Sequence, residues 1–138
     1  MEAFWEILDQ RLALAKEALM VRYELLKDAT SDISPIHWQH GGLARLGKHE
    51  PIFPLLQDGY ATITLGYIGM YEMTKLMTGK SHTEEKEFAL EVMRRMKQAT
   101  LDWKEETGLG FALYGTPAES LCHRFAKIDL ARFGSIKD

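Results

Sequence analysis

Apolar positions in the first stretch of the chain recur with the helical period. Phe4, Ile7, Leu8, Leu12, Ala15, Leu19, Leu25 and Leu26 are interleaved with Glu2, Glu6, Asp9, Lys16 and Glu17. That spacing predicts one long amphipathic helix over 3–29. At about 1.5 Å per residue it would be roughly 35 Å long. The remaining elements of so short a chain can cover that length only by lying along it. An apolar flank is therefore expected to stay open to a partner or to a missing remainder of the protein. Asp28-Ala29-Thr30-Ser31-Asp32 then breaks the period with turn-forming residues.

No regular period governs 30–59, which reads as loop. Pro35, Gly41, Gly42 and Gly47 fall within Ile33–Gly47, which predicts irregular backbone that turns tightly or comes close to another group. Ile52–Leu56 reads as a short connector and Asp58-Gly59 as a turn. In Tyr60-Ala61-Thr62-Ile63-Thr64-Leu65-Gly66-Tyr67-Ile68-Gly69, β-branched and aromatic residues alternate as in a strand, and the run ends in glycines. Met70–Met77 predicts a short helix stopped at Gly79. Ser81-His82-Thr83-Glu84 predicts a capping box that opens a long helix through Phe88, Val92, Met96, Ala99 and Trp103 to a glycine cap at Gly108.

A second short strand follows at Gly110–Tyr114, and a strand–helix–strand connection of this kind makes the two strands parallel. Thr116-Pro117-Ala118-Glu119 then reads as another capping box, with Thr116 as N-cap, Pro117 at the first helical position and Glu119 three residues past the cap. It opens a last helix carrying Leu121, Phe125 and Ile128 on one side. The expected fold is α/β and helix-rich, with strand, helix, helix, strand and helix over 60–133 behind the long first helix. A strand running straight into a helix start aims backbone N–H groups and the positive helix end at one spot. At the mouth of a sheet or barrel such a spot suits a phosphate or another anion. The glycines Gly66 and Gly69 repeat the strand–glycine–helix arrangement and can let backbone approach a substrate.

Composition narrows the classes. A chain of 138 residues with 46% hydrophobic and 27% charged residues is one folded domain or a piece of a larger one. The net charge of −3, with Lys and Arg interspersed among Asp and Glu, argues against a nucleic-acid-binding surface. Apolar runs are too short to span a bilayer and the first segment is not a signal peptide, so no membrane contact and a cytoplasmic location are expected. The lone cysteine, Cys122, can form neither an internal disulfide nor a Cys-rich zinc site. His37 and His40, with His49 further on, have a spacing that could ligate metal, but no carboxylate or thiolate cluster accompanies them. Hydrogen-bonded loop histidines and no metal site are the expectation.

Several blocks occur in an order that resembles the class III anaerobic ribonucleoside-triphosphate reductase family. They are Ser34-Pro35-Ile36 with Gly41-Gly42-Leu43-Ala44-Arg45-Leu46, Thr64-Leu65-Gly66-Tyr67-Ile68-Gly69-Met70-Tyr71-Glu72, and Tyr114-Gly115-Thr116-Pro117-Ala118-Glu119-Ser120 with Arg124-Phe125-Ala126. The similarity covers 1–138 and is strongest after Ile33. Other glycyl radical enzymes, such as formate-lyase relatives, share the barrel but not the Thr-Pro-Ala-Glu-Ser block. The family's large subunit is several times longer, so the chain resembles an internal fragment from the later part of a ten-stranded α/β catalytic barrel.

The resemblance implies glycyl and thiyl radical chemistry on a ribonucleoside triphosphate in the parent protein. It also implies a structural zinc, formate or a thiol as reductant, and an activating iron–sulfur protein that uses S-adenosylmethionine (a radical-SAM activase). No glycyl radical motif, four-cysteine zinc site or loop-borne active-site cysteine is found in this sequence, so no catalytic residue and no cofactor are expected within it, and it should be inactive alone. By the same resemblance, Thr116, Ala118, Glu119 and Ser120 would seat the substrate's phosphates, with Gly41, Gly42, Gly66 and Gly69 as substrate-proximal backbone. A Glu119 carboxylate beside a triphosphate repels it unless it folds back to complete the cap, and the folded-back cap is the expectation. Strand edges and faces cut from a barrel would favour a homo-oligomer. The alternative is a self-standing helical α/β interaction or oligomerisation module without catalysis.

Overall fold

The structure, a computed structural model, describes residues 1–58 and 61–135. Gly59 of the predicted turn and Tyr60 at the predicted strand start lie outside them. Thr62–Tyr67 (β1) and Gly110–Gly115 (β2) form a two-stranded parallel sheet in the register Thr62↔Gly110 to Tyr67↔Gly115. Because side chains alternate along a strand, Ile63, Leu65, Tyr67, Phe111 and Leu113 point to one face, where they join the core. Thr62, Thr64, Gly66, Ala112 and Tyr114 belong to the other, and of these all but the half-buried Ala112 are exposed.

The helices cover only the first face. α1 (Glu2–Leu25) and α4 (Lys86–Thr107) lie side by side and run in the same direction. Trp5 meets Phe88, Asp9 pairs with Arg95, and Lys16 Nζ reaches Glu106 Oε2 at 2.5 Å. Ala89, Val92, Met96, Thr100 and Trp103 recur at three- and four-residue spacing as the buried stripe of α4. With Leu12, Leu65 and Phe111, the apolar members Val92, Met96 and Trp103 form the core, in which the Trp103 and Phe111 rings meet edge to face at 5.5 Å. The stretch 30–59, expected as loop, contains the one-turn helix α2 (Pro35–Trp38), with Pro35 at its start, and 3-10 turns at Ser31–Ile33 and Phe53–Leu56; α3 (Met70–Thr78) follows β1, and α5 (Glu119–Phe133) follows β2. Gly79 and Gly108 adopt the left-handed conformation that ends α3 and α4.

Two helix ends differ from the local reading. α1 stops at Leu25, and the next residues are drawn into contact with the loop: the Ile52 N–H donates to the Ala29 carbonyl, and Thr30 bridges to Pro51. The Ser81–Glu84 box forms reciprocally, with Ser81 N–H donating to Glu84 Oε2 at 2.9 Å and Glu84 N–H to Ser81 Oγ at 3.3 Å. It closes a turn just ahead of α4, whose N-cap is Glu85. The hydrogen bond from Ser81 holds the Glu84 carboxyl below its ordinary pKa.

Candidate functional site

The carboxyl ends of a parallel strand pair are where ligands bind in open α/β sheets, because helix starts gather there. Here β1 leaves its end through Ile68 and Gly69 into α3, and β2 leaves through Thr116–Ala118 into α5. The two exits are tied together: Thr116 N–H donates to the Tyr67 carbonyl at 3.2 Å. Gly66 and Tyr114 are register partners just inside them. Gly69 has φ +79°, which glycine adopts without strain, and its carbonyl accepts the first helical bond from Met73. Thus Gly66, Gly69, Thr116, Ala118, Glu119 and Ser120 lie at one end of the sheet.

The predicted box at Thr116 requires correction. α5 begins at Glu119 and its N-cap is Ala118, with no side-chain cap. Thr116 lies two residues outside the cap, and Pro117 is not the first helical residue. The Thr116 hydroxyl instead accepts the Ala118 N–H at 3.3 Å, a local Thr turn. The cause is tertiary: the bond from Thr116 N–H to Tyr67 keeps the strand running one residue further. Ala118 then makes the bend with φ +57°, a left-handed conformation that costs a non-glycine residue about 1 kcal/mol or more. The side chain of Glu119, on which the folded-back cap depends, lies outside the described residues. The N–H groups of Glu119 and Ser120 open the helix, where no intrahelical acceptor exists, and Ser120 is exposed.

Gly41 and Gly42 belong to a different place. Their N–H groups are spent within the loop, on the Ala44 and Ile36 carbonyls. A Cβ on Gly42 would come within 3.0 Å of the Ile36 carbonyl oxygen and of His37 Cα, and Gly41 has φ +94°. Tight packing of the loop on itself accounts for both. The loop is fastened at Ala29 and Ile52, next to the end of α1 where the tilted rings of Tyr23 and Phe53 meet at 5.6 Å. That is the amino end of β1, where a cavity of about 340 Å³ lies between Leu19, Tyr23, Leu56, Thr62 and Leu109. Gly66, in contrast, has nothing nearer to a would-be Cβ than the Tyr114 carbonyl oxygen at 4.0 Å. No packing among the described residues demands a glycine there.

Two of the loop histidines, His37 and His49, are hydrogen-bonded through their rings. His37 Nδ1 lies 2.6 Å from Ser34 Oγ, and His49 Nδ1 lies 2.7 Å from Asp32 Oδ2. Desolvation pushes the Asp32 carboxyl up, but hydrogen bonds from Thr30, His49 and Gln39 outweigh it and hold its pKa below the ordinary value. Among the described residues no group of three or more His, Cys, Asp or Glu side chains is gathered as a metal would need. Cys122 is exposed on α5. No helix among the described residues is long and apolar enough to cross a membrane.

Tyr114 is a candidate that sequence reasoning passed over. It stands on the exposed face opposite Gly66, 50% exposed, two residues before Thr116. Strict alternation from the buried Phe111 could have placed it there, since residues an odd number of positions apart in a strand face opposite sides.

Helices packed on one face of a parallel strand pair, with both carboxyl ends turning into helix starts, define a helix-rich α/β framework. The particular framework is identified by comparison: the chain belongs to the anaerobic ribonucleoside-triphosphate reductase family, whose profile matches residues 1–138. The anaerobic ribonucleoside-triphosphate reductase of Salmonella typhimurium is 40% identical over 139 residues, covering 97% of this chain and 20% of the relative. The Escherichia coli enzyme of the same name is 39% identical, covering 96% of this chain and 19% of its own length. That of bacteriophage T4 is 36% identical, with 99% and 22% covered. The chain thus spans about a fifth of the length of the curated relatives it matches.

Proposed function

We propose that this chain is part of an anaerobic ribonucleoside-triphosphate reductase that makes deoxyribonucleotides by glycyl and thiyl radical chemistry, and that it supplies scaffold and a seat for the substrate's phosphates. The observation that carries the reading is the exposed face of β1 and β2. Parallel sheets are ordinarily covered on both faces, yet here one face carries hydroxyls, a glycine and a phenol. At its carboxyl end lies the Thr116–Ser120 turn. In a closed barrel with helices outside, that face would be the interior, and a nucleotide lying along it would bring its phosphates to the helix start. Ten strands would complete such a barrel, of which β1 and β2 are two.

The Glu119 and Ser120 N–H groups and the Ser120 hydroxyl would receive phosphate oxygens. Thr116 would hold the turn, and Gly66 would leave room for the sugar beside Tyr114. The radical, the active-site cysteine, a structural zinc and the reductant, formate or a thiol, would come from the rest of the protein. Activation would fall to a radical-SAM partner, and a ribonucleoside triphosphate substrate would place the reaction in the cytoplasm.

The test uses the full-length reductase. Gly66→Val and Ser120→Ala should each weaken ribonucleotide binding, measured calorimetrically, while leaving the thermal transition in place. Unchanged affinity in both would overturn the seat. Glu119→Gln should retain binding, and complete loss there would assign the carboxylate a direct or metal-bridged contact.

A further inference from the structure

The last two register pairs of the sheet are crossed: Gly66 faces Tyr114, and Tyr67 faces Gly115. Alternation along the strands puts the first pair on the open face and the second on the packed one. The two pairs are not equivalent. Among the described residues no side chain comes within 4 Å of a Cβ built on Gly66, whereas one on Gly115 would meet Tyr67 Oη at 3.1 Å and Cζ at 3.4 Å. The Tyr67 ring therefore leans across the strand pair and fills the place of the missing side chain at the last residue of β2. The backbone of Gly115 lies outside the left-handed region, so clearance for the ring, not chain conformation, calls for glycine there.

We propose that Tyr67 is a positioning residue for substrate binding, acting through the end of β2, a role that rests on reading the Thr116–Ser120 turn as the phosphate seat. Tyr67 holds that end at two points. Its carbonyl accepts the Thr116 N–H at 3.2 Å, and its ring lies against Gly115 on the packed face. The ring is in turn packed against the core that contains Leu65, Met96 and Phe111, so its place is set by the most rigid part of the chain. The turn beyond Gly115 is tied more loosely. The bond from Ala118 N–H to the Thr116 hydroxyl is local, and Ala118 carries φ +57°, a conformation that persists only where the surroundings fix it. The Glu119 and Ser120 N–H groups come immediately after, and their direction follows from where Gly115 and Thr116 sit. Hydrogen bonds weaken steeply with misalignment, so a shift of a few tenths of an ångström at Gly115 is felt at the phosphates. Tyr67 thus governs binding from the opposite face of the sheet without touching the substrate.

In the full-length reductase, KM for the ribonucleoside triphosphate and kcat should be measured beside the thermal transition. Tyr67→Ala should raise KM about tenfold while kcat falls less than about threefold, the split expected when binding remote from the reacting sugar is lost. Gly115→Ala should raise KM about three- to tenfold, because its methyl group pushes the end of β2 off the ring. Tyr67→Phe removes the oxygen that this methyl meets first. Joined to Gly115→Ala, it should bring KM back to within about threefold of the parent, a coupling that independent sites do not show. A purely structural role would lower the thermal transition and kcat together and give no such rescue. Unchanged KM in Gly115→Ala, or a raised KM that Tyr67→Phe fails to restore, would overturn the proposal. If Gly66→Val and Ser120→Ala weaken binding while these variants do not, the positioning role alone falls; if none of them does, the seat falls with it.

Discussion

On one face of the β1–β2 pair, Leu65, Phe111 and Leu113 interlock with Leu12, Met96 and Trp103. On the other, Thr62, Thr64, Gly66 and Tyr114 stand exposed. The same two strands, in one register, carry both sets. The packed face is built from residues that exclude water and hold the helices, and its side chains are large. The open face is built from small or hydroxylated residues that cost little to leave in water and leave room for something else. One face therefore carries the packing that stabilises this chain, and the other contributes little to it.

The most severe way to break that contrast is at Trp103, which is 6% exposed against Phe111. Trp103→Ala should cost about 3–5 kcal/mol and, in a chain of this size, abolish most of the cooperative transition in urea. An equally large loss on replacing Thr64 would dissolve the distinction between the faces.

Next comes a glycine pair that separates structural from spare glycines. Gly42→Ala drives a methyl to 3.0 Å from backbone atoms of Ile36 and His37 and should cost about 1–3 kcal/mol. Gly66→Ala meets open space and should stay within about 0.5 kcal/mol. Thermal melts of the two variants side by side would expose any error in assigning one glycine to packing and the other to clearance.

The pairing of α1 with α4 has a weaker signature, in acid. The hydrogen bond from Arg95 holds the Asp9 carboxyl below its ordinary pKa of about 3.8. A group depressed in the folded state binds its proton more weakly there than in the unfolded chain. Its contribution is therefore complete above the unfolded value and is lost as pH falls through the folded one. Both side chains are nearly half exposed, so after solvent screening Asp9→Asn should cost at most about 0.5 kcal/mol at neutral pH. It should also flatten the acid limb of the stability curve. Smallest of all, Thr64→Ala on the open face should move the urea midpoint by an amount near the error of the measurement, within about 0.5 kcal/mol.

Much of this was legible along the chain. The buried stripe of α4, the glycine stops at Gly79 and Gly108 and the parallel strand pair all follow from short-range pattern and chain connectivity. The reciprocal bonds of Ser81 and Glu84 form as the four-residue motif demands, but they close a turn ahead of α4 and do not cap it. The same motif logic failed at Thr116, where an identical spacing was overruled by a hydrogen bond to Tyr67, dozens of residues earlier in the chain. The eight residues expected near substrate also divided. Gly66, Gly69 and the Thr116–Ser120 turn gather at one end of the sheet, while Gly41 and Gly42 close a loop fastened beside the end of α1.

Period and glycines by themselves determined which of the longer segments are helix or strand, because those choices are settled within a few residues by backbone geometry and side-chain spacing. The order of the blocks along the chain also pointed to the family. Only the tertiary structure decided which strand face the helices would cover, where α5 begins and which glycines have room beside them. Each of these depends on contacts between residues far apart in sequence, and a local pattern carries no record of its distant partner.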